Sequence, residues 1–234
     1  MFAAVLGALA LGVAAPAAAE PILLDGSAVG DSFTINFDGF VDGGSAISGL
    51  SSQLSLTLNS IVNGVYSFDY ALSNTGATND AVSSRVSSFA FNTDPTILGG
   101  SATGLFDQVD LNRNYPNGIG TVDVCVSGAN CAGGGSFGVF DGGTGVGSLS
   151  LNFGSEITSV SLSDFFVRYQ SIEGIPGVTS ASGRETGSSG GTTTSGGTDV
   201  PAPGMFLIFA MALLALFAPR KRKVNAGGLA PAFA

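Results

Sequence analysis

Two cysteines are the residues of this chain whose chemistry is easiest to predict. Cys125 and Cys131 enclose five residues, 126–130, and they are the only cysteines in the 234-residue chain. In an oxidising compartment such a pair forms a disulfide, which here would close a short loop and contribute about 2 kcal/mol. A zinc site needs more ligands, and the chain has neither a histidine nor a third cysteine. We therefore predict a disulfide between Cys125 and Cys131 and no metal site.

Side chains suited to catalysis are scarce. The chain has no histidine, which removes the commonest general base and with it the Ser-His-Asp and Cys-His types of site. Seventeen carboxylates could in principle supply a glycosidase pair, but no spacing singles out two of them. We predict that the protein is not an enzyme, with a hydrolase kept as a third and weaker hypothesis.

Oxygen ligands recur between residues 107 and 114, which suggests calcium. This stretch lacks the central glycine and the distal glutamate of an EF-hand loop, however. A strand that runs into an Asn-rich turn explains the same residues without an ion. The oxygen-bearing side chains are those of Asp107, Gln108, Asp110, Asn112 and Asn114.

Carbohydrate binding is the other ligand hypothesis, because all-β domains often bind sugars. Sugar sites usually stack the ring on an aromatic face, and this chain has no tryptophan and four tyrosines. We expect those tyrosines at the edges of the core instead: Tyr66, Tyr70, Tyr115 and Tyr169.

Alternation of apolar and polar residues predicts most of the fold. Residues 33–37, 54–58 and 66–72 alternate with the period of two that is typical of a strand with one wet face. Asn63-Gly64, between the second and third stretch, is a strong hairpin signal. Further strands are predicted at 86–91, 104–111, 122–126, 136–140, 146–153 and 157–172, the last as one strand or two.

Loops rich in Gly, Asn, Asp and Pro separate these strands, and no long amphipathic helix is evident. Loops are predicted at 74–80, 92–100, 112–120 and 127–135. Nine or so short strands favour an all-β fold, an antiparallel β-sandwich of jelly-roll or immunoglobulin-like kind. We place this single domain at residues 20–177.

The N-terminus has the composition of a secretory signal peptide. Residues 2–15 are apolar and uncharged, and Ala17-Ala18-Ala19 before Glu20 fits the small-x-small rule for cleavage. We therefore assign residues 1–19 to a signal peptide. The usual positive residues are missing, so we expect the true start to lie upstream of Met1.

The C-terminal part contains three consecutive segments after the domain. Residues 178–199 are rich in Ser, Thr and Gly and are predicted to be a flexible linker. Residues 205–218 are apolar on every face and uncharged, so we predict a short transmembrane helix. A basic cluster follows and keeps the tail, 224–234, cytoplasmic; it consists of Arg220, Lys221, Arg222 and Lys223.

A turn-forming motif precedes the helix and completes a pattern that resembles a known sorting signal. Its residues are Val200, Pro201, Ala202, Pro203 and Gly204. Pro-x-Pro, an apolar helix and a basic cluster in this order resemble the PEP-CTERM signal, which implies recognition by an exosortase-type enzyme. The resemblance spans residues 200–223 and departs from the usual motif at Ala202, where the family has Glu.

A second resemblance concerns the domain. Residues 122–125, 131–135 and 164–170 are similar to the cistern subgroup of these sorted proteins. The resemblance implies export, transient anchoring in the inner membrane and a link to exopolysaccharide and biofilm. It assigns no activity to the domain.

Net charge restricts the partners of the exported part. Four arginines and all seventeen carboxylates lie there, which gives a formal charge of −13. Such a surface repels nucleic acid and anionic lipid. We predict an exported structural protein of the cell surface or extracellular matrix, C-terminally processed by an exosortase-type enzyme, with exopolysaccharide as a partner. A carbohydrate- or calcium-binding adhesin module is the alternative.

Overall fold

The computed structural model describes residues 20–76, 82–133 and 136–190. Within them lie twelve strands and a single 3₁₀ turn, Gly26–Ala28, and no α-helix. The strands are β1 (Ile22–Leu24), β2 (Ser32–Phe40), β3 (Ser51–Val62), β4 (Val65–Asn74), β5 (Ser83–Asp94), β6 (Gly99–Gly104), β7 (Gln108–Tyr115), β8 (Gly120–Ser127), β9 (Val139–Phe140), β10 (Thr144–Asn152), β11 (Val160–Glu173) and β12 (Ser180–Gly190).

The alternating stretches of the sequence form strands as predicted. In β2, β3 and β4 the apolar residues of each alternation are buried and the residues between them are wholly or partly exposed. Asn63 and Gly64 make the β3–β4 turn, both with positive φ (52° and 71°). These angles suit a hairpin turn whose twist matches the flanking strands.

All twelve strands belong to one hydrogen-bonded sheet in which every pair is antiparallel. The main path runs β6-β10-β4-β3-β2-β12-β11-β5-β8-β7, and β1 and β9 pair with β11 and β5 outside it. The predicted all-β antiparallel class is therefore confirmed. A single continuous sheet does not establish the finer assignment to a sandwich of two separate sheets.

The sheet bends so that distant strands face each other across one core. Tyr70 in β4 and Phe89 in β5 are five places apart in the strand order, yet their ring centroids are 5.4 Å apart. At the ends of the path β6 contacts β7, since a Cβ placed on Gly100 would lie 3.0 Å from Cγ1 of Val109. The buried apolar residues between these strands form the main core.

The boundaries predicted around β6 and β7 are wrong. The strand predicted at 104–111 is interrupted, because β6 ends at Gly104 and β7 begins at Gln108. The loop predicted at 112–120 is mostly strand, because β7 continues to Tyr115 and pairs with β8 through Asn114 and Thr121. Cross-strand pairing at this hairpin outweighs the low strand propensity of an Asn-rich segment.

The largest correction concerns the predicted linker at 178–199. Residues Ser180–Gly190 are not a flexible coil but β12, which lies between β11 and β2 in the middle of the path. A Cβ on Gly183 would lie 2.5 Å from Cγ2 of Val167 and 2.9 Å from Cε2 of Tyr169. Small residues are required here because large neighbouring side chains already fill the space.

The two central strands diverge beyond one point of contact. β12 pairs with β11 only from Ser180 to Arg184, and past Arg184 it stays paired with β2 alone. The first residues of β11 pair with β1 instead. Both β11 and β12 have a register shift where they diverge. Beside this point the half-buried Glu185 carboxylate accepts a hydrogen bond from the Phe165 backbone. Burial raises the pKa of Glu185.

We expect Gly183→Ala to destabilise the fold by about 1–3 kcal/mol, because the added methyl group overlaps Val167 and Tyr169. Gly187→Ala in the same strand is the control, since a Cβ there meets nothing within 4 Å. Chemical denaturation of both variants measures the difference. Equal midpoints for the two variants would contradict the tight packing of β12.

Candidate functional site

The sorting residues predicted from the sequence lie outside the described residues. This applies to the motif Val200–Gly204, to the basic cluster Arg220–Lys223, to the transmembrane helix at 205–218 and to the signal peptide at 1–19. In the part of the chain that the structure describes, no helix is long and apolar enough to cross a membrane. These sequence assignments therefore stay predictions.

The predicted disulfide between Cys125 and Cys131 is present, with a Cα–Cα distance of 5.9 Å. It belongs to a second buried group on the opposite face of β5 and β8 from the main core, because neighbouring strand residues point to opposite faces. We call this group the outer cluster; its members are Ala90, Tyr115, Val122, Cys125 and Cys131.

Arg168 in β11 holds the segments around the outer cluster together. It is 7% exposed, and its Nε donates to the carbonyl oxygen of Ala132, just after the disulfide, at 3.2 Å. Its other nitrogens donate to the hydroxyl oxygens of Ser180 at 2.8 Å and Ser182 at 3.4 Å, both in β12. Asn117 lies in the β7–β8 turn with its amide oxygen facing the guanidinium. That oxygen accepts a hydrogen bond from an Arg168 nitrogen at 2.8 Å. One side chain thus connects four segments of the chain.

These partners of Arg168 are all neutral oxygens. Burial lowers the pKa of the guanidinium, and the nearby Tyr115 hydroxyl opposes that effect. Burial also raises the pKa of Tyr115, whose hydroxyl lies 2.9 Å from that of Ser88. A guanidinium remains charged even so, and one whose three nitrogens all donate hydrogen bonds is suited to fixing loops rather than to transferring protons.

A different surface offers many groups to a ligand. The outward side chains of β3, β4, β6 and β10 are almost all small and polar, and none of these strands contains a Lys or Arg. We call this the hydroxyl face; its outward Ser and Thr residues are Ser51, Ser55, Thr57, Ser67, Ser73, Ser101, Thr103, Thr144, Ser148 and Ser150.

Adjacent strands of the hydroxyl face are linked by side-chain hydrogen bonds. The hydroxyl oxygens of Ser73 and Thr144 are 2.8 Å apart. The Ser148 hydroxyl donates a hydrogen bond to the Asp69 carboxylate at 3.1 Å. A shallow cleft of about 680 Å³, partly open solvent, lies over Ser55, Thr57, Asp69 and Ser148 among others. Hydroxyl groups both donate and accept, so this array is chemically suited to another polyhydroxylated surface.

The tyrosines belong to the core, and the calcium stretch is mostly strand. All four tyrosines are buried: Tyr66, Tyr70, Tyr115 and Tyr169. The calcium stretch 107–114 falls largely in β7. There the Asp110 carboxylate forms an ion pair with the Arg113 guanidinium at 3.1 Å. Among the described residues, no group of three or more His, Cys, Asp or Glu side chains is placed to hold a metal ion.

A second cleft, of about 910 Å³ including open solvent, lies where β1 and β12 face each other. Its walls include Leu23 of β1 and Ser188 and Ser189 of β12, and the buried Phe33 of β2 contributes to its lining. Carboxylates of Glu20, Asp25 and Asp31 also line it, with no basic residue among them.

Comparison with known proteins does not assign the chain to a family. No family model matches it, and no curated protein or solved structure matches it either.

Sequence reasoning missed Arg168 as an organising residue. It stands on the polar side of an alternating strand, where a charged residue is normally solvated. Its partners Ala132, Ser180 and Ser182 come from a predicted loop and a predicted linker. No local pattern indicates that these segments cover the outer face of β11.

We expect Arg168→Met to destabilise the fold by about 2 kcal/mol or more, because hydrogen bonds from a buried cation to several segments are lost. Arg113→Met is the matched control and should cost less than about 1 kcal/mol, since Arg113 is 60% exposed in its ion pair with Asp110. Urea denaturation compares the two. Similar losses for both variants would contradict the connecting role of Arg168.

Proposed function

We propose that this chain is an exported structural protein of the cell surface or extracellular matrix. An exosortase-type enzyme would process its C-terminus after transient anchoring in the inner membrane, in connection with exopolysaccharide or biofilm. The observation that carries the proposal is the order of the Pro-x-Pro motif, apolar segment and basic cluster at 200–223, which resembles the PEP-CTERM signal. The described sheet ends at Gly190, ten residues before that motif.

The chemistry of the described residues supports this proposal in two ways. The buried Cys125–Cys131 disulfide suits a protein that folds in an oxidising compartment. The strongly acidic composition of the exported part suits solubility outside the cell and repels nucleic acid. A structural role also fits a chain without histidine, in which the described clefts contain no evident nucleophile-base pair.

The intact mass of the mature protein from the native cell surface and medium tests the sorting proposal. We expect a C-terminus near residues 200–204, with or without an added group, and an N-terminus at Glu20. A truncated chain with the basic cluster removed is the control, because it should not be retained in the membrane and processed in the same way.

A mass that retains Ala234 would contradict the sorting proposal. The protein would then be an ordinary tail-anchored envelope protein, and its role would have to lie in the folded sheet.

The hydroxyl face favours a second function, binding of a neutral polysaccharide. Its alternating donors and acceptors, with Asp69 the only charged side chain on β3, β4, β6 and β10, match the hydroxyl groups of a glycan. We keep the predicted β-sandwich as part of this proposal, with these strands and β2 as the layer that carries the face. The absence of an aromatic platform on the outward positions of these four strands implies weak, multivalent contacts.

Electrophoresis in a native gel that contains a neutral glucan tests this second function. We expect the unmodified exported chain to be retarded and Ser148→Lys to lose most of the retardation, because a bulky cation then occupies the cleft. Thr158→Lys, an exposed site in the loop before β11, carries the same charge change and should be retarded like the unmodified chain. No retardation of the unmodified chain, or equal losses in both variants, would contradict glycan binding at this face.

A further inference from the structure

The cleft between β1 and β12 lies where these two strands leave β11 at different points. β12 pairs with β11 from Ser180 to Arg184 and beyond that follows β2. β1 pairs with the first residues of β11, Val160 to Leu162. Among the described residues no strand lies between the two separated segments, and the cleft is lined by both of them and by the turn that joins β1 to β2. We call it the β1–β12 cleft.

Asp31 is the buried acidic residue of this cleft. It lines the cleft just before β2 and is only 8% exposed. Its backbone is paired, because its N–H donates to the carbonyl oxygen of Ala28 and its own carbonyl oxygen accepts from Leu58 of β3. Its carboxylate has no hydrogen-bond or ion-pair partner among the described residues. A carboxylate withdrawn from water without a partner is unfavourable, so this group is suited to a cation that comes from outside.

The surroundings of Asp31 suit the side chain of a lysine. Asp31 continues the line of β2 and lies two positions before Phe33, so both side chains are on the same face of the strand. Phe33, Ile22 and Ala28 are buried and give the cleft an apolar lining. A lysine has an apolar four-carbon stem and a charged end. The stem can pack on these apolar residues while the ammonium group reaches the Asp31 carboxylate.

Two further carboxylates lie at the β1–β12 cleft, and no basic residue lines it. Glu20 is exposed, and Asp25 binds the N–H and the hydroxyl of Ser27 through one of its two oxygens. Such a concentration of negative charge attracts cations. The described residues contain no group of three or more acidic, His or Cys side chains placed to hold a metal ion, so an organic cation is favoured.

The strands that border the β1–β12 cleft also have open edges. Among the described residues, β1 pairs with β11 alone, and the part of β12 after Arg184 pairs with β2 alone. β1 and β12 are each antiparallel to β11, so they run parallel to each other. A single strand between them that runs opposite to both would make antiparallel pairs on both of its edges. Open strand edges bind extended peptides through backbone hydrogen bonds.

Charge favours a different protein over a second copy as the source of that strand. The exported part of this chain has a formal charge of −13, so a second copy is repelled from a cleft that is itself acidic. A segment with basic residues is attracted to it, and its charge is complementary to the carboxylates of the lining.

We propose that the β1–β12 cleft binds an extended, lysine-bearing segment of a partner protein. The segment adds as an antiparallel strand between β1 and β12. Its lysine stem packs on Phe33 and Ile22, and the ammonium group pairs with the Asp31 carboxylate. This inference depends neither on sorting of the tail nor on glycan binding by the hydroxyl face.

Fluorescence anisotropy of a labelled peptide tests the binding, with the full chain in detergent micelles and empty micelles as the blank. The probe is a short peptide of alternating threonine and valine with one central lysine. We expect saturable binding that Asp31→Asn weakens about tenfold or more, because the ammonium group loses its buried charged partner. Asp107→Asn removes the same charge from an exposed site between β6 and β7 and should bind like the unmodified chain. No binding to the unmodified chain, or equal affinities of the two variants, would overturn the proposal.

Changes in the peptide test the same site without altering the fold of the protein. Glutamine in place of the lysine should weaken binding about tenfold or more, since the Asp31 carboxylate then has no cation. N-methylation at alternate positions should abolish binding, because it removes N–H donors that an added strand requires. The unmodified peptide should slow hydrogen exchange within β1 and at residues 186–189.

Equal binding of the glutamine peptide would overturn the role of the lysine, and equal binding of the N-methylated peptide would overturn strand addition. Binding that weakens as the protein concentration rises would assign the β1–β12 cleft to a second copy instead.

Discussion

The fold depends on close packing at one strand made of small residues. β12 lies between β2 and β11 in the middle of the strand path, and its Ala181 and Ser182 are fully buried. At Gly183 the side chains of Val167, Tyr169 and Phe37 occupy the space that a Cβ would need. The aromatic and branched residues of the core can therefore approach β12 closely because its buried residues, Ala181 to Gly183, are all small. The small residues of β12, whose composition is typical of a linker, are therefore required for the dense packing of the core.

The outer face of the same region depends on a charge instead of apolar packing. The Arg168 guanidinium satisfies carbonyl and hydroxyl oxygens from the disulfide loop, the β7–β8 turn and β12. Each of these segments is short and poor in apolar residues, so burial alone would hold it weakly. The Cys125–Cys131 bond fixes the loop locally, and Arg168 fixes it to the sheet. Covalent closure and a buried cation together give this layer the order that the hydrophobic effect cannot supply.

Features that depend on neighbouring residues could be predicted from the sequence, and features that depend on distant residues could not. Alternation along β2, β3 and β4 and the Asn63-Gly64 turn are local, and they predicted the antiparallel all-β class and the first hairpins. The disulfide followed from two cysteines six positions apart. β12 could not be predicted, because its partner strand β2 is distant in sequence and its residues have low intrinsic strand propensity. For the same reason the contacts of Arg168 and the cleft between β1 and β12 left no pattern in the sequence.

The position of β12 also determines when the domain can fold. Thr186 hydrogen bonds to a carbonyl oxygen 150 positions earlier in the chain, at Asn36, so the central pairing of the sheet joins the first and last parts of the described chain. Contacts of such long range carry a large loop-closure cost and are typical of slow folding. A chain is synthesised from its N-terminus, so β2 and β11 lack the strand between them until the residues up to Gly190 are available. Completion of the sheet is thus a late event that requires nearly all of the described chain.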